Sequence, residues 1–191
     1  MKKIMFNDRY GLTQAVLEGR KTQTRRMVFK RDMEPPLQGI TSEYLIAVKS
    51  RYKFGETLAI AQSYKTIQEY LRKATGTDLE LKPELSQSKG YANKMFVRAD
   101  HMPHHIRITN IRFERLQDIS EKDCLAEGIW EAHDVGLEGV TYWYTGLANS
   151  PYRTAREAYA ALIDKINGKG TWQSSPYVFV YDFETVSLPN T

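Results

Sequence analysis

A single cysteine, Cys124, stands in a chain of 191 residues, so neither an internal disulfide nor a multi-thiolate zinc centre can form. No hydrophobic run approaches the roughly 20 residues a bilayer demands, and Met1-Lys2-Lys3-Ile4 leads into no apolar stretch of signal-peptide length. These absences predict a cytoplasmic protein with no membrane partner. A third absence is local. From Arg20 to Arg31 there is no acidic residue, although 23 Asp and Glu nearly balance 27 Lys and Arg over the whole chain. Arg20, Lys21, Arg25, Arg26, Lys30 and Arg31 fill that gap. A solvated surface would mix signs, so the unbroken run points to an anionic partner, a nucleic acid or a nucleotide. Its plainer reading is a basic edge strand kept soluble by charge.

What the chain does contain suffices for a core: 41% of residues are hydrophobic and 12% aromatic. The net charge of +4 is mild, so charge placement matters more than its sum. Ile4 to Phe6 reads as a short strand. Asn7 or Asp8 can then cap a helix carrying Leu12, Ala15 and Val16 on one face, closed by Gly19. Thr22 to Phe29 follows as a strand with Thr24, Arg26 and Val28 on one side and Gln23, Arg25 and Met27 on the other. Lys21 sits in the turn. Asp32 to Gly39, with Pro35 and Pro36, is a loop, and Phe54-Gly55-Glu56 turns into a strand at Thr57 to Ala61. Ser63 or Thr66 caps a helix with Ile67, Tyr70, Leu71 and Ala74 that ends at Gly76, and Thr77 to Gly90 is a polar excursion.

Lys94 to Ala99 and Ile106 to Arg115 read as strands, the second with a change of apolar parity between Ile108 and Ile111 that predicts a bend. Ser120-Glu121-Lys122-Asp123 resembles a capping box for a short helix ending at Glu127-Gly128, with Cys124 as a small buried hydrophobe. Tyr142-Trp143-Tyr144 lies in an inserted hairpin or lid spanning Glu131 to Ser150. Thr154 opens a helix with the stripe Ala155, Ala158, Tyr159, Leu162 and Ile166, and Pro176 to Phe183 is a central strand.

Four blocks in order resemble the ASCH domain family of the PUA-like superfamily, and its phage and prophage members above all. They are Gly19-Arg20-Lys21-Thr22-Gln23-Thr24-Arg25-Arg26, Arg115-Leu116-Gln117-Asp118-Ile119-Ser120, Ile166-Asn167-Gly168-Lys169-Gly170, and Trp172 to Phe183. The first carries the spacing Gly-x-Lys-x-x-x-x-Arg. The resemblance implies an α+β fold, a PUA-like small β-barrel or curled mixed sheet with peripheral helices. It covers 1–191 as a single domain with insertions near 64–93 and 131–152. It further implies an RNA- or nucleotide-binding cleft beside the motif, lined by Gly19, Arg20, Lys21, Arg25 and Arg26. In one small bacterial branch it implies an amidohydrolase acting on N(4)-acetylcytidine.

In that branch a Lys, a Thr three residues later and a Glu on the following short helix carry the chemistry, and the matching positions are Lys21, Thr24 and Glu127. A Thr hydroxyl attacks poorly until a base removes its proton, and Lys21 can serve only if burial or nearby cations depress its pKa. Glu127 would then protonate the leaving amine. Each also has a plainer role: Lys21 as phosphate ligand, Thr24 as strand residue, Glu127 as solvated helix end. Where the phage pattern has Arg-Glu, this chain has Ala61-Gln62, a lost charged couple that leaves a third reading, a phage interaction protein with a vestigial cleft.

His101, His104 and His105 lack regular metal-ligand spacing, so they read as a hydrogen-bonding loop, with no metal and no cofactor expected. Tyr142 and Trp143 can stack on unpaired bases or pack as a lid. The expected partner is RNA or a modified nucleoside or nucleotide, and nothing in the sequence assigns an oligomeric state.

Overall fold

The protein is described by a computed structural model over residues 1–28, 39–77, 82–133, 140–144 and 151–187. In chain order the elements are β1 (Lys3–Ile4), α1 (Leu12–Leu17), β2 (Gln23–Met27), α2 (Ser42–Lys49), β3 (Thr57–Ile60), α3 (Tyr64–Thr75) and α4 (Pro83–Ser86). They continue with β4 (His105–Arg115), α5 (Glu121–Ala126), β5 (Trp130–His133), β6 (Val140–Trp143), α6 (Ala155–Asn167), α7 (Thr171–Ser174) and β7 (Tyr177–Val186). The loop expected at Asp32 to Gly39 lies almost wholly outside the described residues, as do Lys30 and Arg31 of the basic run and the tip of the 131–150 insertion.

Five strands form a mixed sheet in the order β1-β3-β4-β7-β2, with β1 parallel to β3 and antiparallel pairing of β3 with β4 and of β2 with β7. This is α+β, as expected, but the sheet does not close into a barrel. Its edges are β1 and β2, and a two-residue β1 offers too little backbone to pair with the five residues of β2. Strands β5 and β6 form a separate antiparallel ribbon.

The chain divides into two compact units. The first contains Met1–Phe6 and Thr57–Arg107. Its core gathers Ala59, Ala61, Tyr64, Ile67, Val97 and Met102. Helix α3 begins and ends where its sequence signals lie: the Ser63 hydroxyl accepts from the Thr66 amide, and Gly76 adopts the left-handed conformation. The strand expected at Lys94 to Ala99 is absent. Two 3₁₀ turns, Lys94–Phe96 and Ala99–His101, stand there instead. The cause is distant in sequence. The Lys3 ammonium donates to the carbonyls of Lys94, Met95 and Val97, at 3.3, 2.6 and 2.9 Å, and that convergence curls a segment an extended ladder would have straightened.

The second unit contains Asn7–Glu56 and Ile108–Glu184. Strand β7, read as central from its unbroken apolar run, is an interior strand, and Val178 to Tyr181 are buried in succession. Helix α6 is capped by Thr154 with Glu157 reaching back, and it buries Ala155, Ala158, Tyr159, Leu162 and Ile163, while Ile166 is half-buried. Helix α2 escaped the periodicity argument because it buries only Leu45 and leaves Tyr44 and Val48 exposed.

Candidate active site

The candidate site lies in the second unit and begins with a turn. Helix α1 stops at Glu18, and Gly19 continues at φ +73°, where a side chain would be strained although no atom obstructs it. The chain then folds back so that the Lys21 amide donates to the Ala15 carbonyl at 2.9 Å. The next amide, of Thr22, donates to the Ala126 carbonyl at 2.9 Å, which fixes the turn to the last turn of α5. On that side Ser120 caps α5 as its sequence implied, and Gly128, at φ +98°, lets the chain leave the helix over the Lys21 side chain.

These constraints bring Lys21 and Glu127 together across 106 positions. Lys21 is 1% exposed and Glu127 5%. The Lys21 ammonium donates to the Glu127 backbone carbonyl at 2.8 Å and meets Oε2 of the same residue at 2.5 Å. Burial pushes the Lys21 pKa down; the Glu127 carboxylate pulls it back, and Arg26 and Arg25 push it further down.

Arg25 is also buried, and its guanidinium is surrounded by acceptors. Nη2 lies 2.7 Å from Glu114 and 3.3 Å from Asp123, and Nη1 lies 3.4 Å from Glu127 and donates to Gln23 Oε1. Burial lowers the Arg25 pKa, but the carboxylates of Glu127 and Glu114 outweigh it and the net direction is up. Gln23 in turn donates to Asp123 at 3.1 Å and to Asp182 at 2.6 Å, and Arg112 closes the array on Glu114, Asp123 and Asp182. Burial pushes Asp123 up, yet the Gln23 hydrogen bond with Arg25 and Arg112 holds it below the ordinary carboxylate value. Two cations of the basic run are thus neutralised inside the protein, which a local count of charges did not foresee.

Other polar groups sit beside the pair. The Tyr159 hydroxyl is fully buried, close enough to Glu127 for burial and then that carboxylate to raise its pKa well above the usual value, but outside hydrogen-bond geometry. Cys124 is buried with its thiol pushed up to about 12, chiefly by burial, so it is no thiolate nucleophile at neutral pH. Thr24 is buried on β2, and strand alternation turns it away from Gln23 and Arg25, the face that meets α5. Arg26 shares the Thr24 face and is half-buried.

The aromatic insertion forms the β5–β6 ribbon. Tyr142 bridges to Tyr152 through two backbone hydrogen bonds, and the Trp143 indole donates to Thr141 at 3.2 Å. Tyr144 is buried edge-on against Tyr10. Trp130, unremarked in the sequence, pairs across the ribbon with Trp143, and the Arg20 guanidinium lies 5.0 Å above its ring. The signal that could have found it was its spacing, three residues beyond Glu127.

In the first unit, two histidines are tied to neutral partners, while the buried Nδ1 of His105 meets none among the described residues. His104 Nδ1 meets Gln62 Oε1 at 2.8 Å, and His101 Nδ1 meets the Tyr64 hydroxyl at 2.9 Å. The departure at Ala61-Gln62 thus supplies the partner of His104. Among the described residues no three His, Cys, Asp or Glu side chains converge as metal ligands.

No family model matches the chain, and no curated protein does. Among solved structures, it is similar to the protein EF3133 from Enterococcus faecalis V583, described with the family model DUF984. The TM-score is 0.44 and the identity 16%, over 100% of this chain and 84% of that one.

Proposed function

We propose that the chain is a nucleoside-directed hydrolase in a PUA-like ASCH fold, removing the acyl group from the exocyclic amine of an N(4)-acylated cytidine. One observation carries this reading: Lys21, buried and with a lowered pKa, is in direct contact with Glu127. Two groups that share a short, water-poor contact can pass a proton between them, which general acid–base catalysis requires. A neutral Lys21 takes the proton of an attacking water as the water oxygen bonds to the acyl carbon. Glu127, having received a proton from Lys21, delivers it to the departing exocyclic nitrogen as the carbon–nitrogen bond breaks. The products are the carboxylic acid and cytidine, and no cofactor enters the balance. With both groups nearly enclosed, only a small substituent can be offered to them, which suits an acyl group on a single base and not a duplex.

Purified protein incubated with N(4)-acetylcytidine and followed by chromatography should release cytidine, and Lys21→Ala should abolish release. No turnover by the native chain, or turnover retained in Lys21→Ala, overturns the reading. Thr24→Val should retain turnover, because Thr24 lies on the β2 face turned away from α5; loss of turnover would reassign the attack to its hydroxyl.

A second reading, binding of RNA or a nucleotide without turnover, draws on Arg20, the cation of the run set over an exposed indole. Lys21 and Arg25 serve it poorly because both are buried on their carboxylate partners, whereas Arg20, paired with Glu18, stays partly exposed.

A further inference from the structure

Beside the Lys21–Glu127 pair stands a hydroxyl with nothing to bind. Tyr159 is 1% exposed, and its Oη meets no hydrogen-bond partner among the described residues. A buried tyrosine hydroxyl ordinarily finds a partner, since leaving it bare forfeits the hydrogen bonds it would make to water. Arg25 Nε is also buried and bare, but that guanidinium is engaged through Nη1 and Nη2. Tyrosine has a single polar atom, so its loss is complete.

The ring is held in place although the hydroxyl is not used. Helix α6 is fastened to the approach of α5 through Arg156. The Arg156 amide donates to Glu121 Oε2 at 3.2 Å, and its guanidinium donates to the carbonyls of Ile119, at 2.5 Å, and Gln117. Tyr159 lies one turn further along α6, with the Trp172 ring edge-on to it and the centroids 6.3 Å apart. Helix α6 packs against α5, which ends where Glu127 begins, so the same clamp sets Tyr159 relative to Glu127. The electrostatics agree: burial first, then the Glu127 charge, raise the Tyr159 pKa, and the Arg25 cation only partly offsets them. The hydroxyl therefore keeps its proton at neutral pH and acts as a donor.

Three acceptors can be considered for that proton. Glu127 itself lies outside hydrogen-bond geometry. An attacking water gains nothing from a donor, because it needs a base, and Lys21 supplies one. The acyl oxygen is different: negative charge builds on it during attack, while Lys21 is accepting a proton and Glu127 is a carboxylate. A donor fixed in position and unspent in the free protein is what such a charge requires.

We propose that Tyr159 is the oxyanion donor of this site, its hydroxyl hydrogen-bonding the acyl oxygen as charge develops there. The inference rests on the hydrolase reading and adds a third residue to it. As the water oxygen bonds to the acyl carbon, the carbonyl π pair moves onto oxygen and is held by the Tyr159 O–H. When that pair returns, the carbon–nitrogen bond breaks and the nitrogen takes the proton of Glu127. Tyr159 keeps its own proton throughout. In the sequence it belonged to the core stripe of α6, where only its ring was expected to count.

Tyr159→Phe removes the one oxygen and keeps the ring, and the purified full chain gives three readouts. With N(4)-acetylcytidine, kcat should fall about a hundredfold or more while KM stays within about threefold. The melting temperature should hold or rise, because the deleted hydroxyl has no partner to lose. With N(4)-thioacetylcytidine, whose sulfur accepts hydrogen bonds poorly, the gap between the native chain and Tyr159→Phe should shrink to about tenfold or less. An unchanged kcat, a gap equally wide for the thioacyl substrate, or a melting temperature lowered by about 3 °C or more overturns Tyr159 as donor, while turnover by the native chain still upholds the hydrolase. Absence of turnover by the native chain refutes the hydrolase, and the oxyanion role falls with it.

Discussion

Two buried polar regions in this chain meet burial in opposite ways. Around Arg25, carboxylates from Glu114, Asp123 and Glu127 converge on one guanidinium, and the charge survives because its partners outweigh the cost of leaving water. Around His104 and His105 the described residues place no such carboxylates: Gln62 meets one ring, burial dominates, and both histidines are held below their ordinary pKa. Low dielectric acts on both regions, and the neighbours decide whether a group stays charged. Lys21 stands between these extremes, with one strong counter-charge and a burial penalty that still wins. A group poised in that way can change protonation during a reaction, whereas Arg25 cannot.

The largest expected effect breaks the charged region. Glu127→Leu strands the Lys21 ammonium and removes one of the carboxylates of Arg25, and should cost about 3–5 kcal/mol in urea denaturation. The double change Lys21→Met with Glu127→Leu should recover most of that loss, since two apolar side chains of similar size replace the pair. A double variant as unstable as the single one would mean that Glu127 acts mainly through Arg25.

Acid should separate the two regions by the pH at which each fails. Folded His104 and His105 have lowered pKa values, so the unfolded chain binds protons more readily, and stability falls as pH drops through about 6.5. Asp123 is depressed from 3.8, so its contribution is intact above that value and disappears as pH falls further through its folded pKa. Melting temperatures measured from pH 8 to 3 should therefore decline in two stages. His104→Phe with His105→Phe should flatten the first stage and leave the second.

The smallest effects sharpen the comparison through helix caps. Ser63→Ala and Ser120→Ala each remove a hydroxyl that accepts an amide at a helix start, and each should cost about 1 kcal/mol in thermal unfolding. The stability losses should match, but only Ser120→Ala should alter turnover, because α5 carries Glu127.

Local signals made much of this architecture legible. Ser63, Ser120 and Thr154 start their helices, Gly76 closes one, and the run to Phe183 is an interior strand, because caps and apolar runs are written within a few residues. What escaped was set by partners far away in sequence. Lys94 to Ala99 has strand-like residues, yet Lys3 curls it. The basic run looked ready for phosphate, yet Glu114 and Asp123, 89 and 98 positions from Arg25, already pair with that one of its cations. Lys21 and Glu127 were paired by resemblance, a step that spacing along the chain could not supply.

Lys3 has a practical consequence. Its ammonium gathers three carbonyls that otherwise have no strand to join, so the opening residues serve as a clasp for a segment 91 to 94 positions downstream. Trimming them, or acetylating that one amine, would loosen the stretch leading into the histidines and leave the Lys21 turn untouched. Any engineered version of the chain should therefore keep Lys3 unmodified.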